Sequence, residues 1–275
     1  MSAQFQRVTA PHDNAESPGR TSRPDAASRL GVALAGNAGE VEEAQRLRYA
    51  VFAEEMGARL PETNLSAARR IDRDAFDPFC EHLIARDLRS GEVVGTYRIL
   101  APDAARAAGG YYSEQEFDLA RLEHLRSQMV EVGRSCVHPD YRSGGAILML
   151  WSGLIRYMVQ RGHHYLFGCA SMGMADGGHA AAAVWRRVRS RHLAPQEYHV
   201  FPRCRLPVES LEEQPACGAE GALPPLIKGY LNIGARVCGE PAWDPDFNTA
   251  DLPILFSLSE MKPHYRRHLV RNVIT

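Results

Sequence analysis

The stretch from Glu131 to Gly145, EVGRSCVHPDYRSGG, sets an acid inside an apolar run and a basic glycine turn just before a helix-length apolar segment, AILMLWSGLIRYMVQR. Strand, glycine turn and helix in that order can cradle an anion. The glycines let backbone N–H groups approach it, and the helix N-terminus adds its dipole. Here the anion would meet Arg142, Ser143, Gly144 and Gly145. A glycine pair before a helix is also an ordinary turn, which is the commoner use of such residues. The P-loop pattern is absent, because no Gly-Lys-Ser/Thr follows, and so is the dinucleotide fingerprint, which needs a third spaced glycine in a first βα unit.

Glu131 carries the second signal. Strand alternation puts Met129, Glu131, Gly133 and Ser135 on one face and Val130, Val132, Arg134 and Cys136 on the other. A carboxylate inside an apolar strand is costly unless it is used, and a glycine there marks a bulge or a close backbone approach. A purely structural Glu131–Arg134 pair competes with a catalytic reading. A regular strand holds these two on opposite faces, so both serve one pocket only if a bulge at Gly133 turns one of them.

The elements that must position these residues follow from periodicity. LGVALA is a strand, and NAGEVEEAQRLRYAVFAEEM is a helix with Val41, Ala44, Leu47 and Val51 at helical spacing, Asn37 as N-cap and Glu40 completing a capping box. CEHLIARD and EVVGTYRILA form a hairpin around LRSG. The strand QMVEVGRSCV, the apolar helix, the strand HYLFGCAS and the helix GHAAAAVWRRVRSRH follow. EYHVFPRCRL reads as a further strand, PLIKGYLNIGARVCG as a short helix running into a strand, and DLPILFSL as the last strand. Hairpins followed by strand–helix–strand–helix describe a mixed α/β domain around one central sheet. Residues 1–28, rich in Pro, Ser, Asn, Asp and Arg with no hydrophobic period, are expected to be a disordered tail, with 29–275 as one domain.

Composition narrows the classes. With 275 residues and a formal net charge of −1, no global field steers nucleic acid or a membrane. Lys228 and Lys262 are the only lysines, and all other basic charge is arginine. GC-rich coding explains that bias, and guanidinium forks also suit phosphate or carboxylate ligands. The six cysteines show no C-x-x-C spacing, so no metal site is expected. Scattered cysteines and no signal-peptide pattern suit a cytoplasmic protein.

At this point the residues resemble a known superfamily. The strand, VHPDYRSGGA and the helix resemble the acyl-donor motif of GNAT acyltransferases, in which Arg-x-x-Gly-x-Gly/Ala holds the donor pyrophosphate or phosphopantetheine. Arg142 and Gly145 match, while Ile147 stands where the last small residue belongs, which suits a donor with a single phosphate. LRYAVFAEEMGA, DRDAFD, GTYRIL and EVGR occur in the order found in acyl-homoserine-lactone synthases. Gly57-Ala58 lacks the tryptophan those synthases carry in the part that binds S-adenosylmethionine. GGYYSEQEFDL, EVGRSCV, YLFGCAS and LPPLIKGYLNIGARVCGEPAWDPDFNTADLPIL extend the match, and from Leu30 to His268 the chain resembles the ornithine–acyl-carrier-protein N-acyltransferases.

That resemblance implies a GNAT-like single domain with a mixed, mostly antiparallel twisted sheet flanked by helices. It implies transfer of a fatty acyl group, typically 3-hydroxylated, from the phosphopantetheine of acyl carrier protein (a coenzyme A thioester is the variant) to the α-amine of L-ornithine, with no tightly bound cofactor. Glu131 would be the base and Arg134 would join it in catalysis. Val137, Arg142, Ser143, Gly144 and Gly145 would hold the donor. Arg48, Phe52, Asp74, Asp77, Arg98 and Ser135 would contact substrate, with Arg98 or Arg48 on the carboxylate and Asp74 or Asp77 on the ammonium. Asp74 and Asp77 also fit as turn residues around DAFDP. The cations Arg186, Arg187, Arg189 and Arg191 either complement a helix dipole or dock an acidic carrier protein. Trp243 and Phe247 either close the pocket or pack a loop, with packing favoured for Trp243. Another amine acceptor, or a non-catalytic acyl-binding module, stays open. A lipid product implies peripheral contact with the inner membrane.

Overall fold

The computed structural model describes residues 6–7, 29–60, 68–213 and 223–270. Strands β1 (Gln6–Arg7) and β2 (Leu30–Leu34) lead to helix α1 (Ala38–Tyr49), which widens into a π turn over Ala50–Glu55. Asn37 Oδ1 accepts the Glu40 N–H at 3.1 Å as its cap, whereas Glu40 reaches back to the Gly36 N–H at 2.7 Å and not to Asn37. Strands β3 (Glu81–Asp87) and β4 (Val93–Leu100) form the expected hairpin, and Gly91 takes the positive φ its turn needs. Helix α2 (Pro102–Ala108), strand β5 (Phe117–Asp118) and a 3-10 segment (Ala120–Gln128) precede β6 (Met129–Val137) and α3 (Gly145–Arg161). Then come β7 (Tyr165–Gly173), α4 (His179–Arg189), β8 (Phe201–Pro202), α5 (Val208–Glu213), α6 (Pro225–Ile233), β9 (Arg236–Val237), β10 (Ala242–Asp244), β11 (Thr249–Ser257) and α7 (Pro263–Val270).

One sheet runs β1-β2-β3-β4-β6-β7-β11-β10, with β9 beside β11. Every pairing is antiparallel except β6–β7, which is parallel and joins only Met129–Glu131 to Tyr165–Phe167. Beyond that point the two strands part. Gly168 stands at the vertex, where a Cβ would come within 2.3 Å of the Val132 carbonyl oxygen.

The sheet has two different faces. Val130, Val132, Ala170, Ile254 and Phe256 pack in one core with Leu150, Trp151 and Leu154 of α3 and Ile227 and Leu231 of α6. Met129, Phe167, Leu255 and Leu100 point the other way, into a second core built on Tyr111, Leu122 and Leu125. Burying one such Leu or Phe removes enough apolar surface to stabilise the fold by about 1.5–3 kcal/mol.

One expectation needs correction, and two segments add elements that the sequence reading did not assign. EYHVFPRCRL contributes only the two residues of β8, which pair with β5, and beyond them Arg205 makes an isolated bridge to Ala242 of β10. The 102–108 segment is helical, started by Pro102 in the first turn and stopped by left-handed Gly109. In the stretch expected to be a tail, Gln6 and Arg7 pair with Val32 and Gly31, and the rest of 1–28 lies outside the described residues. Among the described residues, no helix is long and apolar enough to cross a membrane.

Candidate active site

A cavity of about 820 Å³ passes through the gap where β6 and β7 separate. Glu131, Arg134, Arg98, Glu116 and Asp251 line it on one side of the sheet, and Leu154, Ile155, Ile233 and Phe256 on the other. It therefore joins a charged chamber to an apolar arm, with β6 between them.

β6 is bulged where the two meet. Thr96 pairs with Cys136 and Arg98 with Gly133, so two residues of β6, Arg134 and Ser135, oppose Tyr97 alone. The extra residue is accommodated by Arg134, whose φ of +48° is left-handed, one position beyond the expected Gly133. Its consequence is the one that matters for chemistry. Arg134 turns onto the face of Glu131, stacked on the rings of Phe247 at 4.5 Å and Tyr112 at 4.9 Å, while Ser135 turns toward Tyr97.

Glu131 is 5% exposed. Its carboxylate accepts the N–H of Tyr112 at 2.6 Å, the N–H of Ser113 at 2.7 Å and the Ser113 hydroxyl. Burial pushes its pKa up, these donors oppose the shift, and burial prevails. Ser113 lines the cavity too, between Glu131 and Cys169, whose Sγ is 3.6 Å from Ser113 Oγ. The Cys136 thiol is pushed up to about 12 by burial and Cys169 lies well above its ordinary value for the same reason, so neither supplies a thiolate nucleophile at neutral pH.

Four residues expected to touch substrate bind one another in buried ion pairs that also include Asp72 and Arg134. Arg48, at 0% exposure, meets Asp72 at 2.8 Å and Asp77 at 2.7 Å. Arg98 meets Asp74 at 2.6 Å and Asp77 at 3.0 Å, and Arg134 meets Asp72 at 3.2 Å and Asp74 at 3.1 Å. Three guanidiniums thus face three carboxylates in a neutral buried block. Burial raises the Asp77 pKa, but Arg48 and Arg98 outweigh it and hold the carboxyl well below its usual range. His82 beside them is lowered to about 4 by burial and then by Arg48, so it adds no charge at pH 7. Asp74 and Asp77 are turn residues as well: Asp74 Oδ1 accepts the Phe76 N–H at 2.8 Å and Asp77 Oδ2 the Asp74 N–H at 3.0 Å. Arg98 and Phe52 do line the cavity, whereas Arg48, Asp74 and Asp77 sit behind it, because their charges are already satisfied there.

Sequence reasoning missed a second acidic group. Glu116, Asp244 and Asp251 bring carboxylate oxygens within 4.8 Å of one another at the charged end of the cavity. Burial first, and then Asp251 and Asp244, raise Glu116 to about 9, while burial raises Asp251 to about 6 against the Ser171 hydrogen bond, with Asp244 adding to the rise. Such a group suits an ammonium, and its spacing would also admit a metal ion, which the cysteine pattern alone did not suggest. Asp251 carried a usable signal, an acid inside the apolar strand TADLPILFS, the same signal that singled out Glu131. Glu116 lies in a turn, where acids are common, and Asp244 ends the short strand β10 next to one.

The chain matches the family described as "Acetyltransferase (GNAT) domain" over residues 47–152. It is 37% identical over 253 residues to an L-ornithine N(alpha)-acyltransferase of Rhodobacter capsulatus, covering 88% of this chain and 95% of that protein. It is 36% identical over 255 residues to one of Agrobacterium fabrum, covering 86% of this chain and 83% of the relative. The chain belongs to the L-ornithine N(alpha)-acyltransferase family. A solved AHL synthase is 13% identical with a TM-score of 0.47, covering 87% of this chain and 93% of that one.

In this acyltransferase the GNAT turn lies at the cavity edge. Gly144, at φ +103°, is the N-cap of α3, and Gly145 is its first residue. Arg142 forms a bidentate pair with Glu55 at 2.5 and 2.7 Å, and its Nε donates to the Val137 carbonyl at 3.0 Å. Both partners are about two-fifths exposed, and such a surface pair contributes only about 0–1 kcal/mol. Val137, Arg142 and Gly144 line the cavity as expected residues, and Phe247 does so too, while Trp243 is 41% exposed and does not line it.

Proposed function

We propose that this enzyme moves a fatty acyl group from the phosphopantetheine thioester of acyl carrier protein to the α-amine of L-ornithine. The observation that carries the reading is the cavity crossing the sheet at the split of β6 and β7, charged on one face and apolar on the other. An amphiphilic product, amino acid at one end and acyl chain at the other, is the shape such a passage makes.

The acyl chain enters the apolar arm and the thioester carbon sits at the bulge. Ornithine occupies the charged chamber, its side-chain ammonium against Glu116, Asp244 and Asp251, its carboxylate toward Arg98 or Arg134. An ammonium has no lone pair, so the α-amine must lose its proton. The ammonium first gives one proton to solvent; the neutral amine nitrogen then bonds to the thioester carbon, the proton it sheds passes to Ser113 Oγ while Ser113 passes its own to Glu131, and the C–S bond breaks to a thiolate that takes that proton from Glu131. A bulge frees a backbone N–H from the ladder, and the one at Arg134–Ser135 suits the developing oxyanion. Arg142 exchanges Glu55 for the pantetheine phosphate, aided by the α3 N-terminus. The exposed apolar side chains Met56 and Leu148, both on the cavity lining, support contact of the mouth with a lipid surface.

The test is to incubate purified protein with acyl-acyl-carrier-protein and a panel of amino acids and identify products by mass spectrometry. Acyl-ornithine is expected. Its absence with ornithine, or equal acylation of amino acids without a side-chain amine, overturns the reading.

A further inference from the structure

The end of the apolar arm is walled by short segments that are apolar inside and basic outside. Ile233 and Ala235, where α6 gives way to β9, line the cavity, and so do Tyr265 and Leu269, one turn apart on α7. Beside them Arg236, Lys262, Arg266 and Arg267 are exposed. The two segments are tied together. The Lys262 N–H donates to the Ile233 carbonyl at 3.1 Å, and Lys262 Nζ donates to that of Leu231 at 3.3 Å. α7 in turn packs on α3.

The positive charge continues onto α4. The Val237 N–H donates to the His192 carbonyl at 2.9 Å, which sets β9 against the C-terminal end of that helix. There Arg187, Arg191 and His192 line a surface depression with Leu223. Burial first, and then Arg236, Lys262, Arg191 and Arg187, push the His192 pKa down, so it stays neutral at pH 7. Glu260 reaches Arg236 only at 3.8 Å, with both side chains about half exposed, and such a pair neutralises little. A chain of net charge −1 thus concentrates cations around the end of the arm that suits an acyl chain.

We propose that this basic surface, formed by α7, the start of β9 and the end of α4, docks on an anionic lipid bilayer and sets the end of the apolar arm against it. The proposal rests on the acyl-transfer reading of this cavity. Anionic headgroups attract surface Lys and Arg wherever they stand, so cations spread over three elements suit them. The apolar lining directly behind the cations supplies the second half of a lipid-facing surface. An acidic carrier protein fits less well here. Its phosphopantetheine tethers it to the glycine turn at Gly145, and Ile155 on the arm is about 15 Å further along α3.

The experiment is sedimentation of the full chain with vesicles of phosphatidylglycerol or of phosphatidylcholine. The intact enzyme is expected to bind phosphatidylglycerol more tightly by about tenfold or more and to be released by high salt. Lys262→Gln, Arg266→Gln and Arg267→Gln combined should weaken that binding on the order of a hundredfold, at roughly fivefold for each charge removed. Arg89→Gln, exposed on the β3–β4 turn, should leave it unchanged. In vesicle-free solution the combined variant should keep the kcat and donor KM of the intact enzyme. Equal binding to both vesicles, or binding that the combined variant does not weaken, overturns the proposal. A raised donor KM with vesicle binding intact assigns the surface to the carrier protein and overturns it too. Failure to acylate ornithine in solution overturns the functional reading instead, since vesicle binding is measured without substrate.

Discussion

Ser113 and Glu131 line the cavity side by side, joined by a hydrogen bond, and two substitutions separate their roles. Glu131→Gln should lower kcat by roughly 10²–10⁴-fold, the usual worth of a positioned base, with little change in the ornithine KM. Ser113→Ala should fall between that variant and the intact enzyme. It also removes the Ser113 hydroxyl, a donor that holds the Glu131 pKa down, so the acid limb of its kcat/KM profile should move to higher pH. Initial rates across pH 5–9 check both, and full turnover in Ser113→Ala would mean that the proton leaves by another route. The acidic trio makes a different prediction. An ammonium favours ionised carboxylates, and this pair titrates at about 6 and about 9, so the ornithine KM should fall as pH rises through that window. Asp251→Asn should raise the ornithine KM about tenfold, an order expected of a lost charge-assisted contact, and flatten this dependence while the donor KM stays put.

At the scale of elements, the split between β6 and β7 is the device on which the rest depends. Gly168→Ala places a methyl against the Val132 carbonyl, and overpacking of that kind costs about 1–3 kcal/mol. The expected outcome is a lower melting temperature with weakened use of long-chain donors. The buried block behind the chamber is a second device. It holds Arg98 and Arg134 against Tyr112, and Arg48 belongs to it without lining the cavity. Arg48→Met leaves Asp72 and Asp77 short of a buried partner, which should cost about 3–5 kcal/mol in a denaturant titration. The hairpin, the central strands and the two long helices were legible in the sequence, since each shows its own hydrophobic period. The bulge was legible only as a condition: Glu131 and Arg134 could share a pocket if the strand slipped by one residue. That slip depends on what Tyr97 packs against, which period-two reasoning does not see.

Considered whole, the molecule uses the sheet as a partition with one opening, and protonation of the charged side links function to stability. Glu116 and Asp251 bind protons more tightly folded than unfolded. Their contribution is therefore complete below the ordinary carboxylate range and is lost as pH rises through about 6 to about 9. Thermal melts at pH 6, 7.5 and 9 should show falling stability without ligand. Ornithine should offset the loss more strongly at the higher pH, and Asp251→Asn should reduce the slope.

What the chain alone determined was local: an acid placed in an apolar strand, a glycine turn before a helix, a series of motifs matching one family, and the alternation that builds a sheet. Each is written within a dozen or so neighbouring residues. What only the tertiary structure decided was which charges are already neutralised and which still face the cavity. Arg48 and Asp77 look like substrate ligands until they are seen bonded to each other, and Glu116, Asp244 and Asp251 look ordinary until three distant segments bring them together. Charge on a side chain is a property of the sequence. Whether that charge still needs a partner depends on distances across the fold, because desolvation and Coulomb attraction act through space and not along the chain.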